Sequence, residues 1–291
     1  MQKLSGPRYR PIRKEGRHSF TLVELLVAIA IFSILLVVLL QIVTQTTKVW
    51  QQVSGDSASR QNARLLLQLM RRDLENAVFS IGSTNNLQFQ MNPASLNGSG
   101  YLNPSAAFWQ TAVSGSTAIN GDIQDVGYFI NWVPDSTGVV HGTLCRIQVA
   151  RPSFNSATPF LTITPSLLAT NAPGLANTDL TSPNAFHGLL ADGVVGLWMT
   201  LYSSNMNVIS ASSSYNSAST GAAQPAYADI GIVMLNPGVA KRITTSNLTS
   251  ITGLYSNPGC TNAASFVSLL SPTFQAGARS FTTRVQIKNV P

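Results

Sequence analysis

Few residues in this chain have the type and spacing to do chemistry. One carboxylate, Glu24, stands inside an otherwise apolar run, Phe20–Leu40. A charge at hydrocarbon depth costs at least ~2.5 kcal/mol, so this side chain is expected to meet a partner or serve a function. Three histidines are scattered: His18 in a basic stretch, His141 in a β-rich run, His187 just before an apolar one. Isolated in this way, they read as structural side chains rather than ligands. Asp122 and Asp125, three apart in an expected loop, could hold calcium together with carbonyl oxygens, although such pairs are usually just solvated; Asp192 precedes Gly193. Cys145 and Cys260 have no CxxC and no histidine at ligand spacing. They are either two buried thiols or one long-range disulfide, which needs an oxidising compartment. Sequence alone does not say whether their α-carbons approach. Tyr128, Phe129, Trp132, Trp198 and Tyr202 lie in strand-like runs and read as core. No GxxxxGK-(S/T), GxSxG or HExxH is present, so neither a phosphate cradle, a nucleophile elbow nor a zinc-protease helix is indicated. The chain is therefore not expected to be an enzyme, and no catalytic residue, metal or cofactor is assigned.

Glu24 needs an element to carry it, and the surrounding composition supplies one. Phe20–Leu40 contains no Pro or Gly and no other charge, and a helix of that length spans the ~30 Å hydrocarbon core. Residues 1–19 carry six basic side chains against Glu15 alone, whereas the rest of the chain carries twelve basic against ten acidic. Most of the formal charge of +7 thus belongs to the leader, and nucleic-acid binding by the folded part is not expected. Positive residues before the span keep the N-terminus cytoplasmic and send the bulk of the chain outward. A cleaved secretory signal would have a shorter apolar region, of 7–15 residues, ending at a small-residue cleavage site. Only 10% of residues are charged, against roughly 25% in ordinary soluble domains, which suits an extracytoplasmic domain.

Ser-Phe-Thr-Leu-Val-Glu (19–24), followed by 16 largely apolar residues behind a basic leader, resembles the class III signal of type IV prepilins and type II secretion pseudopilins. The resemblance implies a cut by prepilin peptidase between Ser19 and Phe20 and N-methylation of Phe20. It also implies pairing of Glu24 with the N-terminal amine of a neighbouring subunit during filament assembly, a sensible arrangement because buried charges compensate only when they meet. The family usually has Gly before the cut, whereas Ser19 stands there and Gly16 lies three positions earlier.

Past the membrane, apolar residues at Ala63, Leu66, Leu67, Met70, Leu74, Ala77 and Val78 follow helical spacing. After a looser Ser54-Gly55-Asp56, this predicts a helix over 57–80, ended near Gly82, with Arg64, Arg71, Arg72, Asp73 and Glu75 on its other face or borders. The wording L-L-x-x-M-R-R-D-L resembles minor pseudopilin J of type II secretion. The ending Phe281-x-x-Arg-Val-x-Ile-x-Asn289 is similar to the last strand of J-like proteins, and the Verru-Chthon cassette protein C family is the narrower resemblance. A type IV pilin displayed at the surface for adhesion or DNA uptake is the alternative.

The expected fold class is α+β and pilin-like, a long N-terminal helix packed on an antiparallel sheet. Its expected divisions are a basic leader (1–19), a transmembrane helix (20–43), its extramembrane continuation (44–81), a low-complexity connection (82–121) and a β-rich domain (122–291). Within 82–121 only 87–91 is strand-like. A hairpin is expected from 126–132 and 139–150 about a Pro-Asp turn, with strands at 160–164, 194–202, 226–235 and 280–288, and a short helix at 263–270. The Ser-rich stretch 203–225 is expected to be an exposed loop facing partners. Those partners are sister pseudopilins or pilins through the N-terminal helix, the prepilin peptidase, the inner-membrane assembly machinery and membrane lipid. The expected location is the inner membrane, single-pass, with the C-terminal domain periplasmic, at a filament tip once assembled.

Overall fold

The computed structural model describes residues 21–82, 87–93, 109–114, 123–151, 186–211 and 214–288. It divides into two compact units, Met1–Gln51 and Gln52–Pro291. One helix, α1 (Leu22–Glu75), runs for 54 residues without a break. Its first part, in the N-terminal unit, has an 18-residue window of mean hydropathy 3.1 and no buried side chain. By length and composition it is the one helix among the described residues that could cross a membrane. Ser33, Thr46 and Thr47 each donate a hydroxyl to the carbonyl four residues back, at 2.8 Å. These hydroxyls are thereby satisfied without an outside partner.

In the second unit the helix buries one stripe: Ser59, Ala63, Leu66, Leu67, Met70, Asp73 and Leu74. The helix continues past the membrane segment as expected, and the looser stretch expected at Ser54-Gly55-Asp56 is helical like the rest. Gly55 is a packing position, since a Cβ there would come within 3.3 Å of the Pro237 ring. Asp56 is held by Arg279 at 3.3 Å. These contacts offset the ~1 kcal/mol by which glycine weakens a helix interior. The helix stops at Glu75 rather than near residue 80, because β1 (Ala77–Val78) joins the sheet. Gly82, at φ 64, turns the chain only after that strand.

Two antiparallel sheets receive the helix. The larger, seven-stranded sheet has the order β6 (Phe186–Asp192), β5 (Val140–Arg151), β4 (Ile123–Pro134), β3 (Trp109–Ser114), β2 (Phe89–Met91) and β9 (Tyr215–Asn216), with β1 also paired to β3. Its centre is the expected hairpin, β4 and β5 about the Asp135–Val139 turn, with Tyr128 opposite Arg146. The smaller has the order β11 (Ala278–Gln286), β10 (Tyr227–Leu235), β7 (Val194–Tyr202) and β8 (Val208–Ala211). Inward residues of both sheets, among them Phe89, Met91, Val126, Leu144, Leu197, Met199, Ile230 and Ile232, join the α1 stripe in one core. The other face of the smaller sheet carries a second core, where Val195, Trp198 and Val233 pack under α3 (Thr245–Gly253), α4 (Ala263–Leu269) and α5 (Pro272–Gln275). A single turn, α2 (Pro237–Ala240), precedes that layer.

Three expectations change here. The 82–121 stretch holds β3 as well as β2. The Ser-rich stretch 203–225 is stitched into the fold: Tyr215 and Ser217 are buried, and Ser217 exchanges backbone and hydroxyl bonds with Phe89 at 2.9 and 3.0 Å. Helix α3 was not anticipated; its six Ser, Thr and Asn residues hide an amphipathic turn that buries only Ile251. The strand expected at 160–164 lies outside the described residues. Finally, β11 clasps the helix at two places, through Arg279 to Asp56 at 3.3 Å and Lys288, just past the strand, to Glu75 at 3.9 Å.

Candidate functional site

The first turn of α1 is closed by its own side chains. Thr21 donates its backbone N–H and its hydroxyl to Glu24 Oε2, and Glu24 returns a backbone N–H to Thr21 Oγ1, all at 3.3 Å. This reciprocal pattern is a capping box, readable in Thr-x-x-Glu but missed by sequence reasoning, which followed the carboxylate only toward another subunit. A carboxylate in the first turn also faces the positive end of the helix dipole. Glu24 therefore has a local partner while exposed and outside any assembly. Ser19 and Phe20 lie outside the described residues.

Residues 16–40 match the family described as the Prokaryotic N-terminal methylation motif. The chain is type IV prepilin-like. Comparison with curated proteins returns no match. For a prepilin-like chain the motif implies processing by a prepilin peptidase and assembly as a pilin-type subunit, a structural rather than catalytic role. The long apolar helix and the antiparallel sheets give it the pilin-like α+β fold that the resemblance implied. A single N-terminal apolar helix is what an inner-membrane prepilin carries.

A buried polar cluster of this prepilin-like chain fastens α1 to the larger sheet. Asp73, only 5% exposed, falls on the apolar stripe rather than on the polar flank where sequence spacing put it. The tyrosine hydroxyl of Tyr128 donates to Asp73 Oδ2. Arg146 donates Nε to Asp73 Oδ2 at 2.9 Å and Nη2 to Oδ1 at 3.3 Å, and its Nε also reaches the Tyr128 oxygen at 3.1 Å. Burial first, then the Asp73 charge, raises the Tyr128 pKa well above its ordinary value and keeps the phenol a donor. Arg71 and Arg72 instead point outward, Arg71 pairing with Glu75 at 2.7 Å as the i,i+4 spacing suggested. The signal for the lock was present, since residue 73 is three beyond Met70 and seven beyond Leu66.

A second polar cluster links two turns. His141 on β5 bonds Asp192 Oδ2 through Nδ1 at 3.1 Å and Asp135 Oδ2 through Nε2 at 3.3 Å. Asp135 also accepts from the hydroxyl and N–H of Thr137 and from the Val139 N–H. The Thr137 hydroxyl leads the causes that lower the Asp135 pKa to about 2. The hydrogen bond to Asp192, followed by that to Asp135, raises the His141 pKa. The arrangement is a charged staple between the β4–β5 turn and the β6–β7 junction, where Asp192 also caps the Gly193 N–H at 2.7 Å.

The remaining candidates are not brought together. Asp125 is buried on β4, while Asp122 lies outside the described residues. No group of three or more His, Cys, Asp or Glu side chains able to hold a metal occurs among the described residues. Cys145 and Cys260 are buried thiols not bonded to each other: Cys145 lies on β5 opposite Phe129 and Leu189, and Cys260 belongs to the second core. Burial pushes the Cys145 thiol up to about 12, so it is a poor nucleophile. A groove on the smaller sheet, between Trp198, Tyr202 and Asn262, is floored by the Arg284–Asp229 pair at 2.6 and 2.7 Å. That guanidinium also lies 5.0 Å above the Tyr202 ring.

Proposed function

We propose that this prepilin-like chain is a minor, J-like pseudopilin, cut between Ser19 and Phe20, N-methylated on Phe20 and assembled through α1 with sister subunits. Its filament would be the short periplasmic pseudopilus of a type II secretion system or a related assembly, with the β-rich domain near the tip and the N-terminus cytoplasmic before processing. The observation that carries the reading is the methylation motif at 16–40 opening a continuous 54-residue helix, whose far half supplies the core of an α+β domain. The Arg-Arg-Asp-Leu wording supports the J-like part. Its aspartate is the buried lock and its arginines are presented outward.

Glu24 has a concrete role in this reading. Before assembly its carboxylate is occupied by Thr21. A newly exposed Phe20 amine on a neighbour is a stronger, charged partner, and exchanging one for the other aligns the subunits. Intact mass of the membrane-extracted protein tests the processing: a chain beginning at methylated Phe20 is expected, and retention of the leader on all copies overturns the reading. Glu24→Ala is expected to abolish assembly while leaving membrane insertion intact. Stoichiometry separates this from the pilin alternative, because a major pilin dominates sheared surface fractions and a tip subunit is scarce and cell-associated.

A further inference from the structure

We propose that the groove on the smaller sheet, where Trp198, Asp229 and Arg284 meet, binds a neutral saccharide; the proposal does not depend on the assembly role above. Two adjacent rows of side chains on three strands build the groove. Trp198, Gly231 and Thr282 stand side by side across β7, β10 and β11, and Thr200, Asp229 and Arg284 form the next row. The helical layer covers this face only in part: Trp198 packs against Phe266 of α4, whereas Thr282 and Arg284 are exposed. Gly231 brings no side chain to the floor. Ala263 of α4 can therefore come close, and a hollow of about 540 Å³ lies beside it. That is the size of a small-ligand site.

The chemistry of the lining selects the ligand. Among the described residues that line the groove, the charged ones are Arg284 and Asp229, and they neutralise each other through bonds of 2.6 and 2.7 Å. An ionic ligand would have to compete with one of them for the other. An apolar ligand would strand the hydroxyls of Thr200, Tyr202 and Thr282. Hydroxyls both donate and accept, and a sugar offers the same groups in return. The ion pair adds a planar donor beside a planar acceptor. It uses Nε and Nη2 of Arg284 and leaves Nη1 outside, and a carboxylate has lone pairs to spare. Neighbouring hydroxyls of one sugar ring can thus accept from the guanidinium and donate to the carboxylate. Stacking of that guanidinium 5.0 Å above the Tyr202 ring fixes the geometry before a ligand arrives.

An independent observation points to the same place. Trp198 is 2% exposed, and among the described residues its indole N–H meets no acceptor. Buried donors are nearly always paired. The benzo edge of this indole lies over Gly196, where a Cβ would run into Cζ3 and Cη2. The opposite end, with Nε1, is turned away from Gly196, toward the side on which Thr200 and Tyr202 line the groove. A saccharide oxygen seated at that inner end supplies the acceptor.

Titration of the full chain with cellohexaose, maltohexaose and chitohexaose, in a detergent without a sugar headgroup, tests this. Tryptophan is labelled with heavy nitrogen; the chain has four, and Trp198→Phe identifies the indole signal of Trp198. At least one hexamer is expected to shift that signal, to slow its hydrogen exchange, and to saturate by about 1 mM. Chitohexaose as the binder assigns the groove to an N-acetylated wall-type glycan, and a glucose hexamer assigns it to a plain polysaccharide; either supports the proposal. By calorimetry, Asp229→Ala with Arg284→Ala is expected to weaken binding about tenfold or more. Melting in the same detergent is the folding control. If it falls, Thr282→Val, at an exposed position, replaces the double variant, with a loss of about threefold expected. No saturable shift with any hexamer, equal shifts at all four tryptophans, or an affinity indifferent to these variants overturns the proposal. So does tighter binding of inorganic phosphate, decanoate or hexaglycine than of every hexamer.

Discussion

Replacing Asp73 by alanine removes the single acceptor shared by Tyr128 and Arg146. The side chains of Arg146 and Asp73 are 14% and 7% exposed, so the pair is nearly out of water. Removing one member of such a pair leaves a buried charge uncompensated and costs about 3–5 kcal/mol. In a domain of this size each kcal/mol lowers the melting temperature by ~2–4 °C, so Asp73→Ala is expected to lower it by roughly 6–20 °C. Asp73→Asn keeps an acceptor but loses the charge, and is expected to cost about 1.5–3 kcal/mol. The triple change Asp73→Leu, Tyr128→Phe, Arg146→Met removes every polar member at once, and is expected to recover most of the loss. Thermal melting of the full chain in detergent micelles, followed by near-UV circular dichroism, reads all three. Hydrogen exchange over 66–75 shows whether the last turns of α1 have come loose. A drop below about 2 °C for Asp73→Ala, or a triple variant worse than the single, refutes the view that this cluster fastens the helix to the sheet.

The His141 staple has a defined pH window. Its pKa is raised above 6.5, so its contribution is complete below that pH and disappears as pH climbs through the raised value; Asp135, lowered to about 2, contributes fully above 3.8 and less as pH falls toward 2. Melting temperature against pH is expected to decline on the alkaline side, and His141→Gln to flatten that slope. Gly196→Ala is expected to cost about 1–3 kcal/mol in urea unfolding, because a Cβ there would run into the Trp198 ring. Met70→Ala should cost about 2–5 kcal/mol by the same assay, since its fully buried side chain sits at the centre of the stripe. Cys145 is expected to resist iodoacetamide in the native chain at pH 8 and to react promptly in urea; equal rates would contradict its burial.

Much of this fold was readable wherever one physical term dominated. The hydropathy of the first helix, the apolar stripe from Ala63 to Leu74, and the runs at 126–132 and 194–202 all reflect burial, which periodicity reports directly. The failures come where local chemistry and tertiary contact disagree. Gly55 looked like a loose point in the helix because its reason, the Pro237 ring, arrives from 182 residues later in the chain. Asp73 looked like a surface charge because its partners lie on β4 and β5. Ser217 looked like loop because serine carries no hydrophobic signal, yet its hydroxyl and backbone bind Phe89, 128 residues earlier. Thr21–Glu24 was legible as a capping box, but the prominence of Glu24 as an isolated charge drew the reading elsewhere.

The clasp between β11 and α1 also dictates an order of events during biosynthesis. Asp56 and Arg279 are 223 residues apart, so this clasp, and the part of the core that Val285 and Ile287 supply, is completed only once the last strand has been made. Until then Ala63, Leu66, Met70 and Leu74 have only part of their eventual cover. The polar closure of the unit thus waits on its last-made strand. That clasp becomes available only when strand β11 pairs with β10 and brings Arg279 and Lys288 to the two ends of the helical segment made first.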